Sequence, residues 1–547
     1  MYSMNEDIEL MESAHDKEEM SEEDIEQIIH YWKNDIKATY KLWQYCIGET
    51  DHPDYKGKNK VQLRLDLIEE MKLPHTAVNW NDVKIGAELN KKTYLELCKI
   101  DHKQLWEKVN KRKTKTGFKF KECYPKYIKF ETEKFKKLFK QIGETVVNLN
   151  EKQEFEFTYN DTEYTIAKGG GHSGEKARLI EADDEYIIID CDIASMYPNI
   201  IRKRNLYPAH LGPKWNEAYI SNIGKRLEAK KKFKENKEKK YDNFQECFKL
   251  VLNGNFGRLG DRYDFQYDPF VGMCVTIGGQ VDIYMLVEDL EEAGIHVVSL
   301  NTDGITCKFK RSKLQQYYKI CKDWEKQVGN DDMGNLEYVE YEKLIQLSVN
   351  DYIAIKKGDW KEIDGEFVLD IHNLPVGDKK VKRKGDFLVS YELHKNKSKS
   401  IVPIALSEYY VNNIPIEETI KNHKDIYAFS IAKKASRDYS YQGTTGNGTN
   451  NTYHRLIRYY CSTKEASVAQ KLWKVKNEGS LKTGPERSMC ESTSKYQVVI
   501  NQRTDIPTST CIDYDWYIEK TREIIAKIEP EKKLEFAKYK TLQATLF

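Results

Sequence analysis

A chain of 547 residues exceeds what one ordinary hydrophobic core accommodates, so several domains or subdomains are expected. Hydrophobic residues at 39% and charged residues at 32% read as a soluble, globular protein, and a net charge of +1 gives no overall bias toward an anionic partner. No apolar run approaches the roughly 20 residues that cross a bilayer, the acidic first 27 residues lack the order of a signal peptide, and no membrane partner is expected.

Eleven cysteines include no Cys-x-x-Cys pair, which points away from a zinc site or a disulfide framework and toward a reducing, cytoplasmic compartment. The small net charge conceals segregation. Segment 225–240 carries nine Lys or Arg against three Glu, and 376–386 is a second basic cluster. Either one alone is ordinarily a solvated face.

Residues 21–45 have helical spacing and open on Ser21-x-x-Asp24, a capping box with Asp in place of Glu. Residues 46–150 are rich in lysine and aromatics, with short helical patterns and no identifiable chemistry. A glycine-rich turn at 168–174 precedes Tyr186–Ile189, four apolar residues in a row that read as a buried strand. Two helices fill 216–260, joined near Lys239–Asp242. In the second, Phe244, Phe248, Leu252 and Phe256 make the buried stripe, with Gln245, Lys249, Asn253 and Gly257 beside it. Segment 263–300 mixes helix with a strand at His296–Leu300; 301–304 is a tight turn, and Ile305–Phe309 returns as a strand. Beyond about residue 390 the chain reads as mostly helical, interrupted by a flexible loop at 441–452.

Two aspartates stand out by position. Asp192 follows the apolar strand, and Asp303 sits at the tip of the predicted hairpin. Each alone is a turn or cap residue. Together they are what two-metal chemistry requires, hard oxygen donors brought from distant segments onto adjacent strands.

The ordered set resembles the polymerase motifs of family B DNA polymerases, closest in kind to short phage-encoded members. Asp192-Ile-Ala-Ser195-Met-Tyr197-Pro198 resembles the first motif, Lys249-x-x-x-Asn253-Gly-x-Phe256-Gly257 the second, and Asn301-Thr302-Asp303-Gly304 the third. The resemblance covers about 165–390 and implies an α+β right-hand polymerase of palm, fingers and thumb, preceded by a partial exonuclease segment. It implies two Mg2+ ions held by Asp192, Asp303 and the Ile193 carbonyl. Tyr197 would stack under the incoming sugar and exclude a 2′-hydroxyl. Arg226, Lys230 and Lys249 would hold the dNTP triphosphate, Asn253 and Phe256 would line the base-pair pocket, and the small Gly254 and Gly257 would let that pair pack close.

This sequence also departs from the pattern. Asn301 replaces the third motif's first aspartate, and Phe256 replaces a commoner tyrosine. Asn350-Asp-Tyr352 stands where the family often has Lys-x-Tyr; Tyr352 is kept, and Lys382, Arg383 and Lys384 are expected to supply the missing contacts to primer-template DNA.

Tyr31-x-x-x-Asp35 resembles the third motif of a 3′–5′ proofreading exonuclease, although an ordinary helical Tyr/Asp pair has the same form. Proofreading by this chain alone is expected to be absent, with a separate exonuclease polypeptide as one source of the rest. Gln543-x-x-Leu546-Phe547 resembles peptides that bind bacterial sliding clamps; docking on the thumb is the plainer alternative. The gaps between motifs leave little room for added subdomains, so an ordinary nucleic-acid primer is expected.

The expected layout is an exonuclease remnant at 1–45, an N-terminal linker region at 46–164, palm at 165–215 and 261–390, fingers at 216–260 and thumb at 391–547. A phage-type origin would place the protein in viral DNA replication in a bacterial cytoplasm. Two rival readings stay open at this point. One is a catalytically inactive DNA-binding replication subunit, the other a polymerase using RNA templates or NTPs.

Overall fold

A computed structural model describes residues 20–51, 55–169, 173–329, 336–363, 365–389, 398–453, 455–465, 468–480, 482–491, 495–501 and 511–533. The expected clamp peptide at Gln543, Leu546 and Phe547 lies outside them, as does the centre of the glycine-rich turn. The chain forms two compact units: residues 1–58, 351–353 and 383–547 in one, and 59–350 with 354–382 in the other. Segment 59–164, which offered no chemistry in sequence, therefore belongs to the same unit as the polymerase-like motifs.

Helix α1 (Glu22–Ile47) opens the first unit. Its cap is as the sequence predicts: Asp24 N–H donates to Ser21 Oγ (3.2 Å) and Ser21 N–H donates to the Asp24 carboxylate (3.0 Å).

The second unit begins with helices α2 (Lys60–Glu70), α3 (Asp82–Cys98), α4 (His102–Asn110) and α5 (Glu133–Glu144). Strands β1 (Glu154–Tyr159), β2 (Thr162–Ala167), β3 (Ser173–Glu175), β4 (Arg178–Glu181) and β5 (Tyr186–Ile193) follow, then α6 (Met196–Lys203), α7 (Lys214–Asn236), α8 (Lys239–Arg258) and α9 (Pro269–Glu292). The remainder is β6 (His296–Asn301), β7 (Gly304–Lys310), α10 (Leu314–Val328), β8 (Leu336–Ser348), β9 (Asp351–Ile363) and β10 (Glu366–Leu369). The strands form an antiparallel sheet in the order β1-β2-β3-β6-β7-β5-β8-β9-β10, with β4 on β8.

The expected strand at 186–189 extends further, and Asp192 lies inside β5 rather than beyond it. Alternation explains why: Ile187, Ile189, Cys191 and Ile193 are buried in the core below the sheet, leaving Asp190 and Asp192 on the other face.

Helix α9 corrects the membrane reading in one respect. It is long and apolar enough to cross a bilayer, but 89% of its apolar window is buried inside the protein. Its polar residues are each engaged. Gln280 brackets Ala167 by accepting from its N–H (3.0 Å) and donating to its carbonyl (2.7 Å), while Glu288 accepts from the N–H groups of Glu131 and Thr132. Asp282 pairs with Arg204 and accepts from the Tyr127 hydroxyl. A Cβ at Gly279 would sit 2.7 Å from Met196 and 2.9 Å from Ile200, so glycine there lets α6, which follows the first motif, press against the core helix.

The two helices expected over 216–260 are present, broken at Lys237 by a left-handed φ of 56°. Helices α2 and α3 pack on them, and Leu67, Met71, Ile85 and Leu89 join Ala229, Phe244 and Phe248 in a second small core.

In the first unit, β11 (Val381–Lys384), α11 (Ile401–Asn412) and α12 (Ile416–Asn422) lead into strands β12 (Ile431–Lys434), β13 (Tyr439–Thr445), β14 (Asn450–Tyr453), β15 (Leu456–Ser462), β16 (Gln470–Lys476), β17 (Arg487–Met489) and β18 (Tyr496–Val499), and then α13 (Tyr514–Ile528). The expectation of a mostly helical C-terminal region is thus overturned by a seven-stranded sheet, order β12-β15-β18-β16-β13-β14 with β17 on β16. The segment read as a flexible loop at 441–452 is largely the hairpin of β13 and β14, with Tyr441 opposite Tyr453.

Candidate active site

The first and third motifs are held together through backbone. Strand β7 pairs with β5 so that Gly304 lies opposite Asp192, and the Ile193 N–H donates to the Asp303 carbonyl at 2.7 Å. The connection from β6 to β7 is two residues long, and Asp303 N–H donates back to the Asn301 carbonyl at 2.7 Å. That closes a three-residue turn on Thr302, whose φ of 57° is unusual for a β-branched residue. Ser195, three residues after Asp192, also has positive φ (54°). Backbone strain thus flanks both carboxylates, as it does at many functional sites.

A cavity of about 540 Å3 is lined by Asp192, Ile193, Ser195, Tyr197, Arg226, Lys230, Lys249, Phe256, Thr302, Asp303 and Glu337, among others. It gathers both aspartates, the Ile193 position, the aromatic pair and all three cations singled out in sequence. The rings of Tyr197 and Phe256 meet at 4.6 Å, tilted by 44°. Phe256 is therefore half-buried, turned toward the cavity instead of completing the buried stripe of Phe244, Phe248 and Leu252. Arg226 donates to Ser195 Oγ (2.9 Å), tying α7 to the turn after Asp192. Lys230 and Lys249 are exposed at the cavity. The side chain of Asn253 lies outside the described set.

Burial, together with the like charges of Asp303, Asp190 and Glu337, pushes the Asp192 carboxyl up to about 6, against the opposing pull of Lys382. Burial and Asp303 push the Tyr197 hydroxyl up to about 12. Repelling carboxylates with hard oxygens fit a divalent cation. Among the described residues no cluster of three His, Cys, Asp or Glu suffices to hold one alone. Two carboxylates suit magnesium, which usually keeps several waters and takes substrate phosphates as its remaining ligands.

Three participants were missed in sequence. Glu337 lines the cavity and lies opposite Asp192 across β5 and β8; its signal was a charged position in an alternating strand. Asp190 accepts from Thr306 Oγ1 (2.7 Å), from the Tyr341 hydroxyl and from Lys382 (3.3 Å). These partners lie 116 or more residues away in sequence, so nothing local announces them. Asn350 accepts from the Asn301 amide at 3.3 Å, and the same amide donates to the Val349 carbonyl at 3.1 Å. The two departures at Asn301 and Asn350 are therefore neighbours.

The other expected DNA contacts are engaged within their own units. Lys382 reaches Asp190 and the Tyr341 hydroxyl in the site-bearing unit. In the other unit, Arg383 donates twice to Ser407 Oγ (3.0 and 2.9 Å), and Lys384 stands 5.8 Å over the Tyr352 ring. Gly254 serves helix packing, not a base pair: its Cβ would lie 2.8 Å from Val83 of α3, whereas Gly257 faces open space. Tyr31 and Asp35 sit on α1, the first half-buried and the second exposed.

No family model matches the chain, and no curated protein matches it. Among solved structures it is similar to the family B DNA polymerase from the hyperthermophilic archaeon Pyrobaculum calidifontis, at 14% identity and a TM-score of 0.38 over 93% of this chain. The match spans 57% of that polymerase's length.

Proposed function

We propose that this chain is a template-directed DNA-dependent DNA polymerase that extends a primer 3′ end with dNTPs. The observation that carries the reading is the single cavity where the strand after Tyr186, the turn at Thr302 and the helix bearing Lys249 converge. Cations and carboxylates line the same 540 Å3. That combination suits a magnesium-bound triphosphate better than either an anion site or a cation site alone.

Asp192 and Asp303, with the Ile193 carbonyl, would hold two magnesium ions. Bound there, such ions lower the pKa of an attacking hydroxyl and neutralise charge on the reacting phosphate. Lys249, Arg226 and Lys230 orient the triphosphate tail, so that the α-phosphorus faces the primer hydroxyl. A new P–O3′ bond forms, the bond to the β-phosphate bridge breaks, pyrophosphate leaves, and the hydroxyl proton passes to solvent. Tyr197, backed by Phe256, forms an aromatic wall that leaves no space for a 2′-hydroxyl and favours deoxynucleotides. We read the helical fold of 216–260 as fingers, the sheet around β5 to β8 as palm, and Tyr31 and Asp35 as an exonuclease remnant. A viral replication role follows from the phage-type resemblance alone.

Primer extension tests this directly. Wild-type chain should extend a DNA primer on a DNA template with dNTPs and Mg2+, and Asp192→Ala and Asp303→Ala should each lower the rate by about a thousandfold or more, a transition-state loss of about 4 kcal/mol. Extension with NTPs, or extension undiminished in both variants, would sink the reading.

A further inference from the structure

Helix α1 exposes more large apolar surface than any function above uses. Ile25 is 46% exposed, Ile29 43%, Trp32 64%, Ile36 53% and Trp43 49%. Their spacings, with exposed Thr39 filling the gap, run 4, 3, 4, 3, 4, which is the a/d seam of a heptad repeat over three heptads. The buried residues of the helix, Ala38 and Tyr45, lie off this line. A seam of period 3.5 specifies its occupant as another helix of the same period. Charge specifies which one. The first turns carry Glu22, Glu23 and Glu26, whereas Lys33 and Lys37 lie in the second half, all exposed. An antiparallel copy sets the acidic half of each helix against the basic half of the other.

We infer that α1 is a self-association helix, pairing antiparallel with α1 of a second copy of this chain. The pairing is isologous, with Ile25 meeting the partner copy's Trp43, Ile29 meeting Thr39, and Trp32 meeting Ile36. Each layer then joins an a to a d position, and two-fold symmetry closes the contact at two copies. Twenty-six residues give about 39 Å of helix for the interface. Thr39 is the polar seam position, and its pairing with Ile29 fixes the register.

The test needs no enzymatic readout and stands apart from the polymerase reading. Sedimentation of the full chain at micromolar concentration should give twice the 64.2 kDa chain mass. Ile29→Asp with Trp32→Asp, both at exposed positions, should return the single-chain mass with an unchanged melting temperature. Reversing the charges at Glu22, Glu23 and Glu26 should weaken the dimer about tenfold or more, and reversing Lys33 and Lys37 in the same chain should restore it. In a Cys46→Ser background, chains carrying Ile25→Cys should crosslink to chains carrying Trp43→Cys and not to themselves. A chain that stays at 64.2 kDa at every concentration overturns the inference, as it would if a separate polypeptide were the seam's occupant. So does a dimer indifferent to the Asp substitutions, or a crosslink between two copies of Ile25→Cys.

Discussion

The sheet around β5 and the sheet spanning β12 to β18 are both antiparallel and both bury tyrosines, yet they use polar groups differently. In the first, Asp192, Asp303 and Glu337 face a common cavity with their charges uncompensated enough to raise one carboxyl to about 6. In the second, buried polar groups meet partners: the Tyr517 hydroxyl donates to the Phe429 carbonyl (2.6 Å) and accepts from the Cys461 N–H (2.9 Å), and Gln470 donates to the Tyr453 hydroxyl (2.6 Å). One sheet holds electrostatic cost in place for a ligand to relieve; the other has satisfied its polar groups internally. Substitutions should accordingly cost function in the first region and stability in the second.

The sharpest contrast should come from Lys249→Ala. An exposed cavity lysine contributes little to folding, so the melting temperature should hold while kcat/KM for dNTP falls about a hundredfold, or about 2.7 kcal/mol. A destabilised protein with normal kinetics would reverse the comparison.

Next in size is a pH effect. The Asp192 carboxyl ionises at about 6 in the folded, cation-free chain and near its ordinary 3.8 when unfolded. Between those values the folded form keeps a proton that the unfolded form has lost. This group therefore favours folding at low pH, and that advantage is lost as pH rises through about 6. A divalent cation must displace the proton, so its affinity should rise about tenfold per pH unit below 6 and level off above. Titration calorimetry with Mn2+ in buffers of different ionisation enthalpy measures both the affinity and the proton released. A flat profile would mean that the carboxyl is not a ligand.

Tyr517→Phe probes the other sheet. It deletes a buried hydroxyl with two partners, so about 1–3 kcal/mol of stability should vanish while activity per folded molecule is retained. Urea titration and primer extension on the same preparation separate the two.

The smallest effect concerns Asn301 and Asn350. Asn301→Asp adds a charge beside two carboxylates, and Asn350→Lys adds its counter-ion. The double variant should recover about 0.5–1.5 kcal/mol of what the singles lose, whether read as melting free energy or as kcat/KM. Additive losses would show that the two amides act independently.

What could be read from sequence had local causes. The capping box at Ser21 and Asp24, the break at Lys237 and the hairpin tip at Thr302 and Asp303 each depend on a few adjacent residues. So does the order of Asp192, Lys249 and Asp303, because chemistry restricts residue type at each. What escaped had distant causes. Gly254 resembles a ligand-facing gap until Val83 of α3 fills it. Thr444, Thr445, Gly446 and Asn447 look like a flexible loop until β16 and β14 flank β13 and turn it into a strand. Asp190 looks like the end of a strand until Tyr341 and Lys382 arrive from far along the chain.

The link from the Ile193 amide to the Asp303 carbonyl has a consequence for how this centre can change. Because main chain spans the gap, the distance between the two motifs is indifferent to what side chains they carry. A lineage can exchange Asp for Asn at 301, or Tyr for Phe at 256, without resetting that distance. The same property makes the region a suitable target for saturation libraries, in which altered nucleotide preference can be selected without first repairing the scaffold.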